Sequence, residues 1–317
     1  MFNKNIKIYV AGHTGLVGSA VVRELKRKGY TNLVLRTHNE MELTDEKAVA
    51  DFFEQEKPDW VIQAAAKVGG ILGNNTYPVE FLLENLKIQN NIIENSYKNN
   101  VKKLLFLGSS CIYPRETPQP MKEEHLLSGY LEKTNEGYAL AKICGIKLCN
   151  YYNREYGTNY ISVMPCNLYG INDDYHPQNA HVIPMLIKRF HDAKVNNLNE
   201  IEIWGTGTPR REFLLSDDLA EAIVYLMENK NAQDIGEFIN IGYGSDITIK
   251  ETAELIKQTV GYQGEIKLDT TKPDGTMLKL MDSSKINNLG WYPKTKFEDG
   301  LKIAYSDFLE KYDTNRK

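Results

Sequence analysis

Hydrophobic positions along the chain follow two rhythms. Short runs rich in β-branched and aromatic residues, "IKIYVAG", "NLVLRT", "DWVIQAAA", "KKLLFLGSS" and "YISVMPCN", punctuate the first half. Between them, "SAVVRELKRKG", "EKAVADFFEQE", "EFLLENLKIQNNIIENSYKN" and "EGYALAKICGIKLCNYYNREYG" repeat apolar residues every three or four positions. Continuous apolar runs bounded by turn residues suit strands buried on both faces, and the longer periodic stretches suit amphipathic helices. Strand and helix in alternation predict an α/β fold, with a doubly wound parallel sheet covered on both sides.

The rhythm breaks after about residue 170, where polar loops such as "INDDYHPQNA" and "KVNNLNE" separate helices such as "VIPMLIKRFHDA". One strand–helix step returns at "REFLLSDDLAEAIVYLME", with Ser216 or Asp217 placed to cap its helix. Residues 1–170 are therefore expected to form a nucleotide-binding domain, rejoined by a segment near 210–243. Residues 171–317 are expected to form mainly a smaller, mixed α/β substrate lobe.

Charge and cysteine usage narrow the partners. Lys plus Arg total 38 against 42 for Asp plus Glu, a net charge of −4, which speaks against a nucleic-acid partner. No apolar run is long enough to span a membrane, and the first strand begins too near Met1 for a secretory leader. The cysteines, Cys111, Cys144, Cys149 and Cys166, form no CxxC pair, so reduced thiols and a cytoplasmic location are expected. No cluster has metal-ligand spacing, and no metal is expected.

"VAGHTGLVGSAVVREL" places Gly12, Gly15 and Gly18 between the first strand and first helix. Glycines there let the backbone approach a pyrophosphate, and the helix amino end supplies N–H donors, so a Rossmann dinucleotide site is predicted. The second strand ends in Arg36 rather than in an acidic residue. A guanidinium suits the 2′-phosphate of NADP, where a carboxylate would bind the NAD ribose.

"NEGYALAK" sets Tyr138 and Lys142 one helical turn apart, and the expectation is that the ammonium lowers the phenol's pKa. With Ser109 of "GSSCIYP" ending the fourth strand, the order Ser, Tyr, Lys resembles the triad of the short-chain dehydrogenase/reductase family. The runs "AGHTGLVGSA", "AAAKVGGI", "GSSCIYP", "YALAK", "MPCNLYG", "HPQNAHVIP", "KRFHDA", "RREFL" and "KPDGT" are similar to those of its extended branch. Within that branch they resemble the GDP-4-keto-6-deoxymannose 3,5-epimerase/4-reductases.

That resemblance implies an NADP(H)-dependent enzyme acting on a GDP-linked 4-keto sugar. Cys111 is implied as the base and His181 as the acid that invert C3 and C5. Ser109 and Tyr138 hold the C4 oxygen, and Lys142 holds the nicotinamide ribose. The dinucleotide is implied to contact Gly12, His13, Thr14, Gly15, Leu16, Val17 and Gly18 of the loop, and Arg36. Leu107, Ser109, Ser110, Tyr138, Lys142, Pro165, Asn167, Leu168 and His181 complete its site. Arg189, Trp204, Arg211 and Asp274 are implied for the sugar nucleotide. The chain departs from the pattern at Thr14 and Leu278, both basic in the relatives. A 4-reductase of a related GDP-4-keto sugar, such as a heptose, is the alternative. A homodimer is expected, because the helices at 80–98 and 136–153 carry more apolar residues than one sheet face needs.

Overall fold

The sheet is built on strands with no polar edge to spare. β1 (Ile8–Ala11), β3 (Trp60–Gln63), β4 (Lys103–Leu107) and β5 (Tyr160–Pro165) are buried at every residue. That is the burial expected of strands covered by helices on both faces. The computed structural model describes residues 3–176, 180–272 and 274–314. Residues 177–179 of "HPQNAHVIP" and residue 273 of "KPDGT" lie outside them.

In chain order the first part interleaves these strands with α1 (Leu16–Arg27), β2 (Leu33–Val34), α2 (Glu46–Glu56), α3 (Ile71–Thr76), α4 (Pro78–Lys98) and α5 (Glu136–Tyr156). There follow β6 (Asn167–Tyr169), α6 (Val182–Val195), β7 (Glu200–Trp204), β8 (Arg210–Arg211), β9 (Phe213–Leu215), α7 (Ser216–Asn229) and α8 (Ala232–Ile235). The chain closes with β10 (Ile239–Ile241), β11 (Ile247–Thr248), α9 (Ile249–Val260), β12 (Glu265–Asp269), β13 (Leu278–Lys279), α10 (Ser284–Asn288) and α11 (Phe297–Thr314).

Six parallel strands make the central sheet, in the order β10-β5-β4-β3-β1-β2. α2, α4 and α5 pack in one layer and α1 and α7 in another, so the doubly wound α/β architecture is the one the pattern predicts. The order reverses between β1 and β3, and the crevice at such a switch point is where open α/β sheets bind ligands. A second core, around Ile187, Phe190, Ile256, Val260, Leu301 and Phe308, joins α6, α9 and α11. Among the described residues no helix is long and apolar enough to cross a membrane.

One local expectation is corrected. α7 begins at Ser216 with Leu215 at its N-cap, so neither Ser216 nor Asp217 caps it. Asp217 instead forms a two-pronged pair with Arg23 of α1, at 3.0 and 2.8 Å, which binds the two helices together. The "REFLL" strand, β9, pairs with β6 outside the central sheet, and it is β10, after α7, that takes the sheet edge beside β5.

Candidate active site

The glycine loop leaves β1 at the switch point. Gly12 has φ +79°, and a Cβ there would lie 2.7 Å from the backbone nitrogen of Ala65. At Gly18 a Cβ would run into the Gly12 carbonyl, so both glycines are demanded by the turn itself. Gly15 is different. It N-caps α1, is exposed, and a Cβ on it would meet only the Gly12 oxygen, at 3.6 Å. The first turn of α1 has no side-chain cap and no acidic residue, so its N–H groups and positive dipole end face the cradle. The buried Nδ1 of His13 has no partner, while Thr14 is exposed at the loop tip. Leu16 and Val17 turn inward with α1. This cradle fits a dinucleotide pyrophosphate.

Arg36 sits two residues past β2. Its Nη2 donates to Glu56 at 2.6 Å and its Nη1 to the Leu35 carbonyl at 2.9 Å, with the guanidinium 5.5 Å above the Phe52 ring. The side chain is thus fixed in place at the strand's carboxyl end with donors to spare.

β4 carries the chain out of the core at Leu107. Ser109 is extended, and its Oγ accepts from the Cys111 amide at 3.4 Å as Ser110–Ile112 turn through a single 3-10 helix. Cys111 is buried. From α5, Lys142 lies 5.7 Å from the Tyr138 ring centroid and donates to the Leu107 carbonyl at 2.7 Å. Ser109, Cys111, Tyr138 and Lys142 are thereby brought together over the end of β4.

Burial dominates the electrostatics of this cluster. It pushes the Lys142 ammonium down to about 8, with the charge on Cys111 pulling the other way. It raises the Tyr138 phenol well above its ordinary range; the Cys111 charge adds to this and the hydrogen bond with Ser109 opposes it. The expectation that Lys142 lowers the phenol's pKa is therefore corrected. The ammonium is committed to Leu107, desolvation outweighs it, and Tyr138 stays a protonated donor. Burial also raises the Cys111 thiol, against the Ser109 hydrogen bond and the charges of Lys279 and Lys142.

Other expected residues come from separate elements. Pro165 ends β5, and Asn167 and Leu168 form β6, where Asn167 Nδ2 donates to the Glu212 carbonyl at 2.9 Å. His181 is the N-cap of α6, with one edge exposed and the rest of the ring crowded by its surroundings, so desolvation lowers its pKa while Asp174 opposes this. Arg189 donates to the Glu202 carbonyl. Arg211 donates to the carbonyls of Arg210 and Thr276, at 2.7 and 2.5 Å, and has no carboxylate partner among the described residues. Burial lowers its pKa. Trp204 is 67% exposed, a broad aromatic face with Lys272 Nζ 5.8 Å from its ring centroid. Asp274 does not face a ligand freely, since its two oxygens accept from the Thr206 amide and hydroxyl, at 2.9 and 2.8 Å. It holds the turn that follows Trp204.

Lys279 was missed from sequence. The "GTMLKL" run was read for the lost basic residue at Leu278, but β13 pairs Lys279 with Arg211 of β8. Only that register, invisible in a two-residue strand's pattern, shows the second cation.

Residues 8–242 match the model of the NAD dependent epimerase/dehydratase family. The chain is 57% identical over 310 residues to the putative GDP-L-fucose synthase 2 of Arabidopsis thaliana, covering 98% of this chain and 94% of that one. It is 52% identical over 316 residues to the GDP-L-fucose synthase of Escherichia coli K12, covering 98% of each. Among solved structures, the NADP-bound GDP-mannoheptose C4 reductase of Campylobacter jejuni superposes with a TM-score of 0.91 at 42% identity, covering 98% of this chain and all of that one. The chain belongs to the NAD dependent epimerase/dehydratase family.

Proposed function

We propose that this chain catalyses the GDP-L-fucose synthase reaction, inverting C3 and C5 of GDP-4-keto-6-deoxymannose and reducing its C4 carbonyl with NADPH. The observation that carries the reading is the cluster at the end of β4, where a thiol, a phenol, a hydroxyl and a buried ammonium meet. Identities of 52–57% to GDP-L-fucose synthases, against 42% to the heptose reductase, favour the deoxyhexose over the heptose.

The Gly12–Gly18 loop and the amino end of α1 take the dinucleotide pyrophosphate, and Arg36 takes the 2′-phosphate. Leu107, Ser110, Pro165, Asn167, Leu168 and His181 line its nicotinamide end, and Lys142 holds the ribose. When bound, NADPH supplies the hydride that reduces C4. The 4-keto group acidifies the protons on C3 and C5. Cys111, as thiolate, takes one of these protons and becomes a thiol, and the electron pair moves onto the C4 oxygen. Ser109 and Tyr138 hydroxyls stabilise that enolate by hydrogen bonds. His181 is the acid that returns a proton to the opposite face. In the reduction, Tyr138 gives its proton to the C4 oxygen, the role its raised pKa suits. Arg189 and Arg211 meet the diphosphate, Trp204 offers its face to the base or ribose, and Asp274 steadies the Trp204 turn.

All four cysteines are free thiols, which supports a cytoplasmic setting, and the exposed faces of α4 and α5 support a homodimer.

Deuterium uptake from heavy water into C3 and C5, with NADP⁺ in place of NADPH, separates epimerisation from reduction. Cys111→Ser is expected to lose uptake while still reducing a pre-epimerised substrate, since a serine hydroxyl is far too weak an acid to supply the base. Wild-type enzyme without uptake would reject the dual role.

A further inference from the structure

Phe81, in the first turn of α4, is only 4% exposed, yet among the described residues it belongs to neither hydrophobic core. Its ring meets two parts of the site instead. One is Tyr138, in a T-shaped contact with ring centroids 6.5 Å apart and planes at 82°. That is an arrangement in which aromatic pairs attract. The other is the segment 67–74 that follows β3. A Cβ on Gly69 would lie 3.0 Å from the tip of the Phe81 ring, and one on Gly73 3.7 Å from it. Gly69 is not among the left-handed glycines, so the ring, rather than the backbone, is what leaves no room for a side chain there.

Both contacts are held firmly. Asn85, one turn along α4 and 2% exposed, accepts from Lys67 N and donates to Lys67 O, both at 3.0 Å. Its Nδ2 also donates to the Phe81 carbonyl at 2.7 Å. Lys67 Nζ pairs with Glu80 and Glu84 of α4, at 2.5 and 2.8 Å. Asn74 Nδ2 donates to the Gly69 and Gly70 carbonyls, at 2.8 and 3.1 Å, which fixes the far end of the segment. On α5, a Cβ on Gly137 would lie 2.8 Å from the Pro78 carbonyl oxygen, so the first turns of α4 and α5 pack closely beside Tyr138. We infer that Phe81 is a positioning residue, bridging the segment 67–74 to Tyr138 and fixing where the phenol meets the C4 oxygen. The inference rests on Tyr138 being the acid of the reduction.

Single-turnover oxidation of NADPH, with a saturating pre-epimerised GDP-4-keto sugar, reads hydride transfer. Phe81→Leu should lower that rate about tenfold, a part of the roughly hundredfold that a 1 Å misplacement costs. The NADPH Kd, set at the glycine loop and Arg36, should hold. The deciding arm repeats the change in Tyr138→Phe. With no hydroxyl left to place, Phe81→Leu should cost under about twofold there, whereas general damage to the fold would cost the same factor in both backgrounds. Gly69→Ala presses on the ring from the loop and leaves α4 intact. It should cost a similar factor in the wild-type background and nothing in Tyr138→Phe, so the test stands where Phe81→Leu does not fold. An unchanged rate in these variants, or an equal loss in both backgrounds, overturns the inference. Tyr138→Phe with an undiminished rate would defeat the acid assignment itself, and the inference with it.

Discussion

Tyr138 and Lys142 occupy one turn of α5, and burial moves their pKa values in opposite directions. The phenol becomes a poorer acid and stays protonated, ready to donate when charge develops on the sugar oxygen. Tyr138→Phe should therefore cost roughly two to four orders of magnitude in the reduction rate, the usual worth of a positioned general acid. NADPH affinity, followed by fluorescence titration, should hold, and an unchanged kcat would contradict the assignment. Lys142 gives a pH prediction. With its ammonium pushed down to about 8, it is charged at neutrality and neutral well above that value. If the charge holds the ribose, reduction should decline as pH rises through about 8 in a kcat/KM profile taken at fixed NADPH. A flat profile between neutrality and pH 10 would show that the ammonium is not needed.

At the level of elements, the dinucleotide site depends on the segments that leave β1 and β2. Arg36 is pinned by Glu56 and stacked over Phe52, so its orientation is set before a ligand arrives. NADPH should be preferred to NADH, and Arg36→Ala should remove roughly ten- to a hundredfold of that preference, the worth of a hydrogen bond to a charged group. The ratio of kcat/KM for the two cofactors decides it; equal values in wild type would mean that Thr14 has relaxed the site. Periodicity made much of this frame legible. α2 spans the predicted stretch, with Asp45 accepting from Ala48 N at its cap, and α5 begins where "EGYALAK" does. The i, i+4 spacing of Tyr138 and Lys142 was likewise readable. Pairing partners were not. Nothing local distinguishes β9, which joins β6, from a strand of the central sheet, and nothing in "GTMLKL" announces that Lys279 lies opposite Arg211. Depth of burial was hidden too, and it reversed the expected direction for Tyr138, because desolvation depends on everything packed around a group rather than on its neighbours in sequence.

Across the whole molecule, the helices on one side of the sheet expose apolar side chains among charged neighbours such as Lys87 and Lys98. On α4, Val79 is 71% exposed, Leu83 48% and Tyr97 38%; on α5, Leu140 is 39% and Tyr151 51% exposed. Leu140, the exposed Cys144 and Tyr151 recur at helical spacing, as do Val79, Leu83 and Tyr97. Tyr97 packs against Tyr152 and Tyr156, with ring centroids 5.2 and 4.5 Å away, so the aromatic end of the patch is already ordered before any partner meets it. Adjacent parallel helices that expose apolar side chains on one side suit a second copy of the same pair, because a two-fold axis sets each patch against itself. A stable dimer of this kind hides about 800 Å² on each partner. Sedimentation equilibrium at micromolar concentration should give twice the mass of the chain. Introducing Leu140→Glu together with Tyr151→Glu places charges at the centre of the patch and should yield monomer with its NADPH site intact, since neither residue touches the cluster on β4. Wild-type protein that sediments only as monomer would show that this face serves some other contact.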